Sequence, residues 1–175
     1  MNAAPLLEVS TLINGMLTRG RKLETAQFEK IAEAVARVFS VQRDEVAVLS
    51  LGEDGGFLRF CVPQQLQTVG QIPVTSNSAL AARTVREKRA EIVNNFNTVP
   101  HASVFEAVRL SEQAHGPIQK IMSAPILSGG KVAGVVQVSR KAKTSKAAKD
   151  FTPHDLKQLV SIAEMLGAAL ALRQA

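Results

Sequence analysis

Apolar residues recur at helical spacing over two opening segments. In "PLLEVSTLINGMLT" (5–18), Leu6, Val9, Ile13, Met16 and Leu17 share one stripe behind a helix-starting proline, predicting an amphipathic helix that ends near Gly20. In "TAQFEKIAEAVARVFS" (25–40), Phe28, Ile31, Ala32, Val35, Val38 and Phe39 repeat every three or four residues and predict a second. From residue 45 the period changes. "EVAVLSL" and "FLRFCVP" are strand-like runs separated by "GEDGG", whose Asp-Gly signals a turn, so they predict a hairpin. Helical spacing returns in "TSNSALAARTVREKR", with Leu80, Ala81, Thr84 and Val85 on one side, and a short strand "AEIVNN" follows. Residues 97–118 carry Pro100 and Gly116-Pro117 and only weak helical periodicity around "ASVFEAVRLSEQA", which suits a lid over a pocket. The last segment, "FTPHDLKQLVSIAEMLGAALALR", predicts a long closing helix with Leu156, Leu159, Val160, Ile162, Ala163, Leu166 and Leu170 as its apolar stripe.

Between lid and closing helix lies "IMSAPILSGGKVAGVVQVSRK" (121–141), whose Gly129-Gly130-Lys131 has two readings. A nucleotide-binding P-loop needs a glycine four residues before its Gly-Lys and a Ser or Thr after it. Pro125 and Val132 stand at those places, so the P-loop fails. A Gly-Gly pair between apolar runs suits the positive φ angles of a two-residue hairpin turn. A tight turn there pairs Ser123 with Val136, which sends Ser123 and Gln137 to opposite sheet faces and lets at most one of them look into a pocket. Strands come as hairpins rather than as alternating strand–helix–strand units, so a doubly wound parallel sheet is excluded.

The 175 residues, 46% apolar, suit a single domain with a full core. No run of eighteen apolar residues occurs, and "MNAAPLLEVSTL" lacks the basic and apolar regions of a secretory signal, which predicts a cytoplasmic protein without membrane contact. The one cysteine, Cys61, allows neither an internal disulfide nor a multi-cysteine zinc site. Charge is unevenly placed. Five cations (Arg140, Lys141, Lys143, Lys146, Lys149) fall in "SRKAKTSKAAKD" against one Asp150, and without those five the net +6 would fall to +1. With no Trp or Tyr to stack on bases and no groove-reading motif, this stretch is expected to be a solvated loop rather than a nucleic-acid surface.

Three segments in order resemble the GAF domain, the small-molecule sensor fold of cyclic-nucleotide phosphodiesterases, phytochromes and bacterial regulators. They are "IPVTSNSALAARTVREKRAEIVNN", "IMSAPILSGGKVAGVVQVSRK" and "FTPHDLKQLVSIAEMLGAAL", within a resemblance that covers 24–172. It implies an α+β fold: a six-stranded antiparallel sheet, the N- and C-terminal helices on one face, and a ligand pocket on the other roofed by the 76–85 helix and the 94–118 segment. Residues 1–23 then form a separate amphipathic helix ahead of a domain over 24–175. Fold alone does not assign a function.

Several chemistries of such domains fit poorly. Bilin attachment needs a cysteine, commonly beside a histidine, whereas Cys61 lies in an apolar run and is expected in the core. The free methionine sulfoxide reductases of this family use several cysteines, and one cannot both attack and resolve. Cyclic-nucleotide binders often carry Asn-Lys after the last strand, then Phe, three residues and Asp-Glu. Here Ser139-Arg140 replaces Asn-Lys, and Phe151 and Asp155 are kept while Leu156 stands for Glu. Helix capping by Thr152, Pro153 and Asp155, with Phe151 and Leu156 as a staple, accounts for the retained half. His101, His115 and His154 are too scattered for a metal spacing. No G-x-S-x-G elbow or glycosidase-like carboxylate pair appears, so no enzyme is expected and no cofactor is named.

The remaining polar residues gather where the resemblance puts the pocket. Thr75, Ser76, Asn77 and Ser78 lead into a helix whose free N–H groups suit an anion, and they suit capping equally well. Asn94, Asn95, Phe96 and Asn97 follow a strand, His101 and His115 lie in the lid, and Ser123 and Gln137 interrupt apolar strands. Two functions follow as expectations. One is a sensor for a nucleotide or small anionic metabolite that signals through homodimer or partner-protein contacts of its terminal helices. The other is a dimerisation scaffold whose pocket is filled by its own Phe96, Phe105 and Leu110.

Overall fold

The computed structural model describes residues 4–20, 23–68, 70–96 and 116–174, with the side chains of 172–174 outside that description. Helices α1 (Ala4–Thr18) and α2 (Thr25–Phe39) come first, as the apolar spacing predicts. Strands β1 (Val46–Leu51), β2 (Phe57–Val62) and β3 (Gln71–Pro73) follow, then α3 (Leu80–Glu87), β4 (Glu91–Val93), β5 (Ile118–Ser128), β6 (Lys131–Lys141) and the closing helix α4 (Pro153–Gln174). β3 shows no period of its own in the sequence, because three residues are too few, and is expected only through the resemblance, whose first segment begins at Ile72.

The strands form one antiparallel sheet in the order β3-β2-β1-β6-β5-β4. One face carries Val46, Val48, Cys61, Met122, Val136 and Val138 into a core shared with Phe28, Ile31 and Val35 of α2 and Leu159, Ile162 and Leu166 of α4. Val9 and Ile13 bring α1 into the same cluster. The other face carries Ala47, Leu49, Leu58, Phe60, Ile121 and Val135, covered by Leu80, Ala81 and Val85 of α3 and by Phe96. Terminal helices thus occupy one side of the sheet and α3 the other.

The β5–β6 hairpin turns on Gly129 and Gly130, at φ +58° and +79°. Those angles are cheap only for glycine, so the turn reading holds. The register does not stay as a regular hairpin would give it. Leu127 pairs with Val132, but Ile126 pairs with Gly134, so a bulge inserts one residue into β6. Ser123 is therefore opposite Gln137, not Val136, and both face α3. The expectation that they lie on opposite faces is overturned by that residue.

Segment 149–155 is held against the sheet edge by a side chain far away in sequence. Asn94 donates from Nδ2 to the Phe151 carbonyl at 3.1 Å and accepts from the Phe151 N–H at 3.0 Å. Beside it Thr152 and Asp155 form the predicted reciprocal cap, Thr152 N–H to Asp155 Oδ2 at 2.8 Å and Asp155 N–H to Thr152 Oγ1 at 3.2 Å. Asn94→Ala should leave both Phe151 backbone groups without their partner, lowering stability by about 1–3 kcal/mol in urea unfolding. An unchanged midpoint would show that water replaces the amide at no cost.

Candidate functional site

Beneath α3 the sheet presents a short polar chain inside an apolar layer. Gln137 donates from Nε2 to Ser123 Oγ at 3.2 Å, and Ser123 Oγ lies 2.7 Å from Thr84 Oγ1. Thr84 also donates to the Leu80 carbonyl one turn back in α3, at 2.9 Å. Since that bond uses the threonine hydrogen, Ser123 donates to Thr84 and accepts from Gln137. All three residues are buried. Buried polar groups are retained where hydrogen bonds satisfy them, and here the bonds tie two strands to the helix above. Thr84 stands on the predicted helical stripe but not among the predicted site residues. The signal that could single it out is a hydroxyl on an apolar helix face.

The other predicted residues divide. Thr75 and Ser78 are exposed in a turn, and α3 begins only at Leu80, so the Thr75–Ser78 run does not itself open the helix. Ser76 Oγ accepts from the Ala79 N–H at 3.2 Å, while Arg86 donates to the Val74 and Ser76 carbonyls. The polar atoms of that turn are largely spent on its own shape. Asn94 serves the Phe151 clasp, and Asn95 is exposed. Phe96 is 1% exposed within the α3-side core. Asn97, His101, Phe105, Leu110 and His115 lie outside the described residues. Arg83 holds Glu91 of β4 through two bonds, 2.9 and 3.0 Å, which fixes α3 over the sheet edge.

At the far end of β6 a cleft of about 450 Å³ is lined by Phe39, Ser40, Glu45, Arg140, Lys141, Lys149 and Asp155, among others. Arg140 donates to the carbonyls of Phe39, Lys149 and Asp150 and stacks over the Phe151 ring at 4.0 Å. Lys141 points its ammonium at Asp44, to the carbonyl at 3.5 Å and the carboxylate at 4.0 Å. Burial lowers the pKa of both cations, against the opposing pull of Asp155, Glu45 and Asp150 on Arg140 and of Asp44 and Glu45 on Lys141. Two of the five cations in the basic stretch are thus tied into the fold. Lys143, Lys146 and Lys149 are exposed, as expected for a solvated loop.

The family model of the GAF domain matches residues 24–170. The chain belongs to the GAF domain family. No curated protein matches it in sequence. Among solved structures it is similar to the GAF domain of an Acinetobacter phosphoenolpyruvate-protein phosphotransferase, at 14% identity and TM-score 0.71 over 98% of this chain and 95% of that one. It is similar to the corresponding GAF domain from Coxiella burnetii, at 13% identity and TM-score 0.64 over 98% and 95%. The free methionine-R-sulfoxide reductase of Neisseria meningitidis, solved with its substrate, matches at 12% identity and TM-score 0.67 over 97% and 87%. At these identities the likeness shows the fold alone.

GAF domains are generally sensory or regulatory modules that bind ligands, and in this one the sheet face beneath α3 carries the Thr84–Ser123–Gln137 chain. Cys61 of the GAF sheet is fully buried on the opposite, terminal-helix face. The positions that resemble the cyclic-nucleotide pattern are engaged structurally: Arg140 by three carbonyls and an aromatic ring, Phe151 by Asn94, Asp155 by Thr152. Among the described residues no helix is long and apolar enough to cross a membrane, and no cluster of three His, Cys, Asp or Glu could hold a metal.

Proposed function

We propose that this GAF protein is a cytoplasmic, non-catalytic sensor. It holds a nucleotide or a small anionic metabolite on the α3 side of its sheet and passes occupancy on through homodimer or partner-protein contacts of its terminal helices. Membranes and nucleic acids are not partners in this reading. The observation that supports it is the cross-strand Ser123–Gln137 pair, an amide and a hydroxyl beneath α3, on the face where the resemblance implies a ligand pocket. A hydroxyl and an amide N–H whose hydrogen bonds can be exchanged for those of a ligand can donate to the oxygens of a phosphate or a carboxylate.

Native mass spectrometry of freshly purified protein, followed by denaturation, tests this directly. The expected result is an added mass that is lost on denaturation and reduced in Ser123→Ala and Gln137→Leu. Ser123→Ala also strands the Gln137 amide and should lower stability by about 1–3 kcal/mol, so circular dichroism must show that the variant stays folded. An apo protein whose melting temperature ignores nucleotides and small carboxylates would overturn the sensor.

One observation favours a second reading, a scaffold whose pocket is filled from within. Phe96 is buried among Leu80, Ala81, Val93 and Ile121 in the layer where a ligand would lie. The apo outcome above would select it.

A further inference from the structure

The closing helix carries an apolar surface that the other described residues leave open. Val160 belongs to the predicted apolar stripe of that helix and is 37% exposed. With Ile92, Pro153, Leu156, Lys157 and Ser161 it lines a groove of about 660 Å³ between α4 and the edge strand β4. Two exposed charges sit on the same helix, Lys157 before Val160 and Glu164 after it. Among the described residues neither forms an ion pair.

Seven residues separate Lys157 from Glu164, about two helical turns, so both fall on one face with Val160 between them. Such a face is self-complementary in only one direction. Laid antiparallel about a two-fold axis between Val160 and Ser161, a second copy puts each Lys157 beside Glu164 of the partner subunit and closes the apolar groove at the centre. A parallel, in-register pairing would set lysine against lysine and glutamate against glutamate, which is repulsive at both ends. Two-fold closure uses the same patch on both subunits, and this patch meets that condition.

We propose that this face of α4, with Ile92 at its margin, is the contact between two copies of the chain in an antiparallel two-fold dimer. The proposal rests on the reading that the terminal helices carry the output, and it names the surface. Sedimentation equilibrium of the full chain over a wide concentration range provides the test, with circular dichroism confirming that each variant is folded. Val160→Glu should weaken the dimer at least tenfold. Lys157→Glu should weaken it about tenfold at low salt and less at high salt, because the contact is solvent-exposed. The double variant Lys157→Glu/Glu164→Lys should restore it.

A dimer indifferent to Val160→Glu overturns this surface while leaving terminal-helix output standing. A dimer lost in Val160→Glu but indifferent to the charge swaps overturns the antiparallel register. A protein that is monomeric at every concentration overturns both this contact and output through a homodimer.

Discussion

Gly134→Ala and Gly167→Ala are each expected to destabilise the protein by at least the upper end of the ~1–3 kcal/mol typical of overpacking, a large share of a domain's total stability. At Gly134 an added methyl would overlap the Leu49 carbonyl oxygen and lie 2.8 Å from Leu170 Cδ1. At Gly167 it would overlap the Leu127 carbonyl oxygen. Both obstacles are backbone in a paired strand, which cannot swing aside as a side-chain tip would. The first glycine lets β6 lie close against the Leu49 carbonyl of β1, and the second lets α4 settle onto β5. Gly15 serves as the control. It is exposed in α1 with nothing within 4 Å of the added atom, so alanine there should stabilise by about 0.5–1 kcal/mol through helix propensity alone. Urea unfolding of the three variants compares them, and a Gly134 or Gly167 variant within about 0.5 kcal/mol of the parent, the range of a substitution that disturbs nothing, would show that the backbone yields at these contacts.

Phe96→Ala should cost about 3–5 kcal/mol, the usual loss when a fully buried aromatic ring is truncated. Phe96 joins the end of β4 to the layer beneath α3, where Leu80, Ala81 and Ile121 belong to the same cluster. The cost divides into transfer of the ring to water and the void left behind, and the void lies where the α3 side would take a ligand. The experiment therefore bears on both functional readings. If the ring fills the pocket, the variant loses stability and gains room for small molecules that the parent refuses. If the ring is only a wall, it loses stability and whatever mass the parent carries. A loss below about 1 kcal/mol would mean that the ring makes little use of its burial.

The two opening helices, the first hairpin, the Gly129-Gly130 turn and the capped start of α4 were legible because each depends on neighbours in sequence: a period, a turn dipeptide, a cap three residues from its partner. Contacts that join distant residues were not. Nothing near Asn94 announces its bonds to Phe151, and a serine in a strand does not announce a threonine in a helix. The bulge had one local sign, Gly134 inside an otherwise apolar strand, where glycine commonly marks irregular pairing or close approach. Taking that sign at face value would have placed Ser123 and Gln137 on the same face. The exposure of Val160 was not legible for a different reason. The stripe on α4 is wider than the sheet beneath it, so apolarity marks residues that want covering without saying what covers them.

The extra residue in β6 sets a parity for the rest of that strand. Gln137 meets the α3 layer, while Val136 and Val138, its immediate neighbours, sit in the core shared with α4. The two layers of the protein are thus one peptide bond apart. A molecule that pulled the Gln137 amide away from Ser123 would tug directly on the backbone that seats the closing helix, so a message from one side of the sheet to the other would need no chain of intermediaries.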